Sequence, residues 1–138
     1  MTTSETAFTK IVSGQASAAI IYEDATTLAF LDHNPVTRGH CLVISKEPID
    51  HLDDCSPELY ASIFSTVQHV SKLQKARFKP ERIALVVHGY EIPHAHVHVI
   101  PLYNHEDLKF PQRPEKILSK DELAEVLADL KATNDDDA

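Results

Sequence analysis

Residues 94–101 read His94-Ala95-His96-Val97-His98-Val99-Ile100-Pro101, which places three histidines at alternate positions of one apolar run. Successive side chains of a β-strand point to opposite faces, so a strand here carries all three histidines on one face. The small apolar residues between them share the other face. We expect the apolar face to be buried and the histidine face to carry chemistry.

The spacing of the three histidines leaves more than one kind of site open. Same-face residues two positions apart on a strand are separated by roughly 7 Å, so the central His96 is within reach of whatever its neighbours hold. One small anion could contact all three rings. The same spacing also occurs in zinc enzymes, which makes a three-histidine metal site an alternative. A solvated histidine face without a ligand is the third interpretation.

Length and charge limit the remaining possibilities. The 138 residues are typical of one domain, expected at 1–133, followed by a short acidic tail at 134–138 that we expect to be disordered. The formal net charge is −8 and there is no basic stripe, so no nucleic-acid partner is expected. A small anionic ligand remains compatible because it needs only a local positive potential and backbone donors.

The composition also indicates where the protein works. No apolar run is long enough for a transmembrane segment, so no membrane association is expected. Residues 1–10 lack the basic start and apolar centre of a signal peptide. Cys41 and Cys55 are too few for a disulfide framework and suit a reducing compartment. We therefore expect a cytoplasmic protein.

Hydrophobic periodicity and turn residues predict an α+β fold with several antiparallel strands. The predicted strands are 19–22, 27–31, 40–45, 83–87 and the histidine strand itself. Three helices are predicted: a short one from Phe8 that ends near Gly14, a long amphipathic one over 57–78, and a final one that reaches about Leu130. Ser56 and Pro57 form the start signal of the long helix, and Ser119 with Glu122 forms a capping box for the last.

The chain resembles the histidine triad (HIT) family, whose signature is His-φ-His-φ-His-φ-φ with φ apolar. Residues 94–100 fit that signature completely. The resemblance extends over roughly 8–101, and the further matching segments follow the family's order and spacing. They are Tyr22-Glu23-Asp24, Ala29-Phe30-Leu31-Asp32, Pro35, Gly39-His40, Leu42-Val43-Ile44 and Lys46.

The resemblance implies a HIT-like fold, with a five-stranded antiparallel sheet, a long amphipathic helix and a C-terminal helix. It also implies a homodimer with a continuous sheet, in which 57–78 is the dimer helix. The substrate would be a small nucleotide, cleaved or transferred at its α-phosphate.

Site roles follow from the same resemblance. His96 would be the nucleophile that forms a nucleotidyl-histidine, while His94 and His98 orient it and contact the phosphate. His40 would pack close to the triad, either as a catalytic residue or as a buried, hydrogen-bonded core histidine. Asp32 would contact the ribose hydroxyls, unless it only caps its loop. The apolar wall around the base would be formed by Phe8, Ile11 and Phe30. This chemistry needs a neutral imidazole with one free ring nitrogen and hydrogen-bond donors for the phosphoryl oxygens, without any cofactor.

The lead-in to the triad departs from the family pattern. Many members carry Asn-x-Gly and then Ala-Gly-Gln with a hydroxyl residue, whereas residues 87–93 here are shorter and read Val-His-Gly-Tyr-Glu-Ile-Pro. His88 either replaces the asparagine as a phosphate donor or is an exposed turn residue. Glu91 stands where a phosphate-binding hydroxyl is usual. Its carboxylate would repel a phosphate unless it is protonated, turned away or paired, or it would protonate a leaving group or recognise an amine.

A second departure concerns metal. Some HIT proteins have Cys-x-x-Cys near the N-terminus and a histidine after the lysine, where this chain has Thr6, Thr9 and Pro48. Hydroxyls and proline do not replace thiolate and imidazole as zinc ligands, so no metal is expected there.

Three hypotheses follow. The first is a nucleotide hydrolase or nucleotidyl transferase that acts on nucleoside phosphoramidates or dinucleoside polyphosphates. The second is a nucleotide-binding or sensing protein with little turnover, and the third is the three-histidine metal site.

Overall fold

The structure, a computed structural model, describes residues 5–109 and 115–132. Its strands are β1 (Ile20–Glu23), β2 (Thr27–Leu31), β3 (Cys41–Ser45), β4 (Arg82–Val86) and β5 (His96–Leu102). Its helices are α1 (Ala7–Ser13), α2 (Pro57–Phe78) and α3 (Lys120–Lys131), and Leu52–Asp54 forms one 3-10 turn. The acidic tail predicted at 134–138 lies outside the described residues.

One antiparallel sheet organises these elements. The five strands lie in the order β1-β2-β3-β5-β4, and every neighbouring pair is antiparallel. The triad strand β5 is therefore an interior strand, which pairs with β3 on one side and with β4 on the other. Leu42 pairs with His98 and Ile44 pairs with His96, so β3 fixes the positions of two triad histidines. The α+β class and the five-stranded antiparallel sheet predicted from the sequence are confirmed.

The alternation along β5 separates the two faces of the sheet. Val97 and Val99 are fully buried in the cluster that packs beneath α2. Burial of each valine side chain contributes roughly 2 kcal/mol. The histidines face the other side, where α1 lies and where Phe8 packs with a second cluster, and the members of that cluster are Leu28, Phe30, Leu42 and Ile44.

Local signals at the helix ends explain the boundaries. The Ser56 hydroxyl accepts a hydrogen bond from the Leu59 N–H at 3.1 Å, and Pro57 occupies the first turn, as predicted for α2. Gly14 ends α1 in the left-handed conformation, with φ of 82°. The capping box of Ser119 and Glu122 opens α3, as predicted.

The structure differs from the predicted boundaries in a few places. β1 and β4 are each displaced by one residue, and β3 begins after His40 rather than at it. β5 begins at His96, so His94 and Ala95 lie in the preceding bend and not in the strand. The reason is that the pairing between β3 and β5 ends at Ile44 and His96. The 3-10 turn was not predicted.

None of the residues of α3 is buried. Among the described residues, no helix is both long enough and apolar enough to cross a membrane.

Candidate active site

His96 is held by the backbone of its own neighbour in the triad. Its Nδ1 lies 2.7 Å from the carbonyl oxygen of His94. A carbonyl only accepts, so Nδ1 carries the proton and donates it, which leaves the Nε2 lone pair free. The His96 side chain is 5% exposed. This arrangement fixes the ring, and Nε2 is the nitrogen whose lone pair can attack an electrophile.

The ring of His94 serves a different purpose. It is fully buried, at 0% exposure, and its Nε2–H donates to the carbonyl oxygen of Ser45 at 2.6 Å. Burial lowers the pKa of His94, so the ring is neutral. His94 borders the smaller of the two cavities at the triad, although its ring is buried, so a contact between this ring and a phosphate stays a prediction. His94 acts on His96 through its carbonyl, and its ring fixes that carbonyl by anchoring the bend to β3.

His98 belongs to a chain of hydrogen bonds that starts at a backbone amide. The Val36 N–H donates to Nδ1 of His40 at 3.0 Å, which places the proton of neutral His40 on Nε2. That Nε2–H lies 2.9 Å from Nδ1 of His98 and donates to it. Neutral His98 must then carry its own proton on Nε2. One backbone amide thereby determines that His98 has an N–H left to offer a ligand.

The electrostatics of the site keep these rings neutral. Burial lowers the pKa of His98 from its ordinary 6.5 to about 4, and nearby His96 and His40 act in the same direction. Burial also lowers the pKa of His40, which Asp32 only partly opposes. The Asp32 carboxylate is 3.5 Å from Nε2 of His40 and 4.0 Å from Nδ1 of His98, and at neutral pH it faces uncharged rings rather than forming ion pairs.

Two cavities meet at the exposed side of the triad. One, of about 400 Å³, is lined by His98 and His40, and the other, of about 230 Å³, is lined by His96. His88 borders both, and its ring stacks on that of His98 with 5.9 Å between centroids. The structure therefore brings the exposed His88 to the site, and its role as a phosphate donor stays a prediction.

Asp32 and Glu91 both line the larger cavity. One Asp32 oxygen accepts the Asn34 N–H at 2.8 Å and stabilises the loop, while the other oxygen faces the histidines. The second oxygen is the one that a ribose hydroxyl would need, so that contact stays a prediction. Glu91 is exposed at the cavity wall, beside His98 and His88.

The aromatic residues expected around the base pack mainly against the protein. The Phe8 ring meets those of His96, His94 and Phe30 edge to face, with centroids 5.1, 5.8 and 5.7 Å apart. Phe8 and Phe30 are both buried, and neither they nor Ile11 line the two cavities. Phe8 therefore orients two triad rings, and a base contact from these three residues stays a prediction. Ile92, which was not predicted, packs on the same cluster.

Two acidic residues at the site were missed from the sequence. Asp50 and Asp53 line the smaller cavity next to His96, on the segment that follows β3. The Ala95 N–H donates to the Ile49 carbonyl oxygen at 2.6 Å and ties this segment to the bend before the triad. Their position follows from the pairing of β3 with β5, because the segment that leaves β3 must then run beside the start of β5.

The donor groups do not fit a metal ion. Among the described residues, the ligand atoms of Asp32, His40 and His98 lie within 4.8 Å of one another. A ligating histidine normally donates its other ring N–H, whereas Nδ1 of His40 accepts the Val36 N–H. The His94 ring offers no nitrogen to a shared ligand, because its Nε2–H donates to the Ser45 carbonyl oxygen and its Nδ1 is buried.

The N-terminal threonines have a structural use instead of a metal. The Thr6 hydroxyl accepts from the backbone of α1, and the Thr9 hydroxyl accepts the Thr6 N–H at 2.7 Å. These two residues form a capping box at the start of α1.

Known proteins are similar to this chain in sequence and fold. Residues 13–105 match the family model of the HIT domain. A HIT-like protein of Methanocaldococcus jannaschii is 35% identical over 130 residues, which cover 90% of this chain and 97% of that protein. The adenosine 5'-monophosphoramidase of Schizosaccharomyces pombe is 35% identical over 105 residues, 72% of this chain and 75% of that protein.

Solved structures agree with the sequence relatives. A HIT family protein from Bacillus anthracis superposes with a TM-score of 0.80 at 32% identity, covering 90% of this chain and 93% of that one. Because the family model spans the sheet, the long helix and all three triad positions, the chain belongs to the histidine triad (HIT) family.

Proposed function

We propose that this protein is a nucleotide hydrolase or nucleotidyl transferase that cleaves at the α-phosphate through a nucleotidyl-histidine on His96. The observation that carries the proposal is the hydrogen bond from Nδ1–H of His96 to the His94 carbonyl oxygen. It occupies Nδ1 and leaves Nε2 as the nitrogen with a lone pair, which a phosphorus nucleophile requires.

The first step forms a bond between Nε2 of His96 and the α-phosphorus, and the leaving group departs with the electron pair of its own bond to phosphorus. The His96 ring becomes cationic, and the His94 carbonyl stabilises it through the Nδ1–H. His98 donates its Nε2–H to a phosphoryl oxygen, and His88 is placed to do the same. Water then attacks phosphorus and loses one proton to the solvent, while the bond between Nε2 and phosphorus breaks and its electron pair returns to Nε2.

The charges around the cavities favour one class of leaving group. Two carboxylates line each cavity, and no lysine or arginine lines either of them within the described residues; the carboxylates are Asp32, Glu91, Asp50 and Asp53. A departing polyphosphate carries several negative charges and would be repelled here. A neutral or cationic amine leaving group would not be repelled by these carboxylates. Nucleoside phosphoramidates therefore suit the site better than dinucleoside polyphosphates, in line with the monophosphoramidase name of the S. pombe relative.

The remaining residues are assigned to the nucleotide itself. The free Asp32 oxygen would accept the ribose hydroxyls, and Ile11 with the buried pair Phe8 and Phe30 would form the apolar wall behind the base. Glu91 would recognise or protonate the amine.

A binding or sensing protein with little turnover is the second candidate, favoured by Glu91 in place of a phosphate-binding hydroxyl. Its carboxylate next to His98 would raise the barrier for an approaching phosphate. His96→Ala separates the two candidates. A hydrolase loses turnover and keeps nucleoside monophosphate binding in this variant, whereas a sensor shows no turnover in either protein.

We also propose a homodimer in the cytoplasm. β4 is an edge strand of the sheet, and Leu85 on it is half exposed. A second copy pairing along this edge would continue the sheet and cover that surface. The two free cysteines suit a reducing compartment.

The test of the activity is a panel of adenosine phosphoramidates and dinucleoside polyphosphates, with release of the monophosphate as the readout. Release from the phosphoramidates that disappears in His96→Ala supports the hydrolase. Absence of release at enzyme concentrations close to that of the substrate contradicts it.

A further inference from the structure

The buried side chain of Gln74 on α2 joins two segments that carry histidines of the site. Its Nε2 lies 2.9 Å from the carbonyl oxygen of Gly39 and 2.9 Å from that of Val99. A primary amide has two N–H donors, so each carbonyl accepts one of them. Gly39 directly precedes His40 in the chain, and Val99 directly follows His98. One amide group of α2 therefore holds the backbone next to both histidines.

The segment around His40 needs anchors beyond the sheet. β3 pairs with β5 only from Cys41 onward, so His40 lies outside the paired region. One anchor is the Thr37 hydroxyl, which donates to the carbonyl oxygen of Pro101. Gln74 is a second anchor, and it holds the peptide group directly before His40. It therefore controls the position of that ring more closely than an anchor three residues away.

The Gln74 amide stays at this position although half of it is unsatisfied. The side chain is 3% exposed, and its Oε1 has no hydrogen-bond donor among the described residues. A buried acceptor without a donor destabilises the folded state, which an apolar side chain of similar length would not do. The preceding residues on the same buried face of α2 include the apolar Val67 and Val70. The polar group at position 74 therefore has its use in the two hydrogen bonds that Nε2 donates.

The position of His40 decides which nitrogen of His98 carries a proton. The Nε2–H of His40 donates to Nδ1 of His98 at 2.9 Å, so the proton of neutral His98 lies on Nε2. If the two rings separate, either nitrogen of His98 can carry that proton. A change in the backbone next to these rings would therefore change the tautomer of His98.

We propose that Gln74 is a positioning residue, which fixes the hydrogen bond between His40 and His98 and so keeps the proton of His98 on Nε2. It acts through the carbonyl groups of Gly39 and Val99. The use of this proton as a donor to a phosphoryl oxygen rests on the function proposed above. The tautomer itself does not depend on that function.

The test replaces Gln74→Met, which keeps the length of the side chain and removes both donors. The matched control is Thr66→Val, on the same buried face of α2. The Thr66 hydroxyl shares a buried hydrogen bond of 2.7 Å with that of Thr27 on β2, so the control also removes a bond between α2 and the sheet. A second variant, Gln74→Asn, keeps a polar amide but is too short to reach both carbonyls. Urea unfolding confirms that each protein is folded.

Nitrogen NMR of the full-length protein, labelled in its histidines, measures the tautomer and the protonation of His98. The signal is assigned by its absence in His98→Asn. We expect the proton on Nε2 in the wild type and in Thr66→Val, and a mixture of both tautomers in Gln74→Met and Gln74→Asn. The pH midpoint of His98, about 4 in the wild type, should rise by about one pH unit in Gln74→Met because a loosened ring gains access to water.

The variants leave the charges around these two rings unchanged, so a shift reports on position. The titratable groups that face the rings from the surrounding segments are Asp32, His88, Glu91 and His96.

Turnover of an adenosine phosphoramidate is the second measurement. In Gln74→Met kcat should fall about tenfold with little change in KM, because a donor to the phosphoryl oxygen acts mainly in the transition state. Thr66→Val should keep the wild-type kcat. A single His98 tautomer in both Gln74 variants, or an equal mixture in Thr66→Val, would overturn the proposal.

Two further outcomes separate this proposal from the proposed function. Mixed tautomers with an unchanged kcat would overturn the catalytic part of the role of Gln74. Mixed tautomers in the Gln74 variants, with no turnover even in the wild type, would contradict the proposed function and still support Gln74 as the residue that positions His40 and His98.

Discussion

Replacing His98 by asparagine should make the stability of the protein less sensitive to acid. The folded protein holds this ring neutral, with the pKa lowered from 6.5 to about 4 by burial and by the neighbouring histidines. The unfolded chain protonates His98 near its ordinary pKa. At a pH between these two pKa values, the unfolded state binds a proton that the folded state does not bind. The free energy of unfolding therefore falls as the pH falls through this window.

The size of the effect follows from the two pKa values. At about pH 5 the unfolded form of His98 is almost fully protonated and the folded form is almost fully neutral, which costs about 2 kcal/mol of stability. Below about pH 4 both forms bind the proton, and the loss levels off at about 3 kcal/mol. His40 and His94 have lowered pKa values for the same reason and add losses of the same sign.

The assay is urea unfolding of the wild-type protein and of His98→Asn at about pH 8 and about pH 5, at one salt concentration. The wild type should lose about 2 kcal/mol more than the variant over this interval. Equal losses in the two proteins would show that His98 is not held neutral. A wild type that becomes more stable on acidification would show that Asp32 pairs with a charged ring, which contradicts the site described above.

Two further predictions concern a glycine and the acidic cavity. Gly39 has φ of +88°, and a Cβ there would lie 2.7 Å from the Phe78 ring, so Gly39→Ala should cost about 2–3 kcal/mol in urea unfolding. The matched control is Gly14→Ala, which shares a positive φ but meets open space and should cost only about 1 kcal/mol; equal costs would contradict the close contact. Replacing Asp50 and Asp53 together by asparagine should raise kcat/KM for a dinucleoside polyphosphate about tenfold relative to a phosphoramidate with a cationic amine, and an unchanged ratio would remove these residues from leaving-group selection.

Much of the fold could be predicted because its signals are local. Ser56 and Pro57 define the start of α2, and the alternation along 96–99 assigns the two faces of β5. The errors fall where pairing between distant strands decides the boundary. His94 matches the alternation, yet it lies outside the strand. The pairing between β3 and β5 ends at Ile44 and His96.

The histidines of the candidate site could be predicted from the sequence, but the hydrogen bonds that connect them could not. His96, His98 and His40 could be assigned through the motif, and the structure brings them together. The sequence does not reveal that the Val36 N–H sets the protonation of His40, nor that the Ser45 carbonyl holds the His94 ring. Backbone groups carry no sequence signature, and their positions depend on the completed fold.

The most direct test of the account is to look for the nucleotidyl-enzyme itself. The wild-type protein and His96→Ala are mixed with an adenosine phosphoramidate, quenched at short times, digested and analysed by mass spectrometry. We expect one added nucleoside monophosphate on the wild-type peptide that contains residues 94–98, attached to the ring of His96, and none in the variant. Monophosphate release without any modified histidine, or a modification that persists in His96→Ala, would contradict the assignment of His96 as the nucleophile.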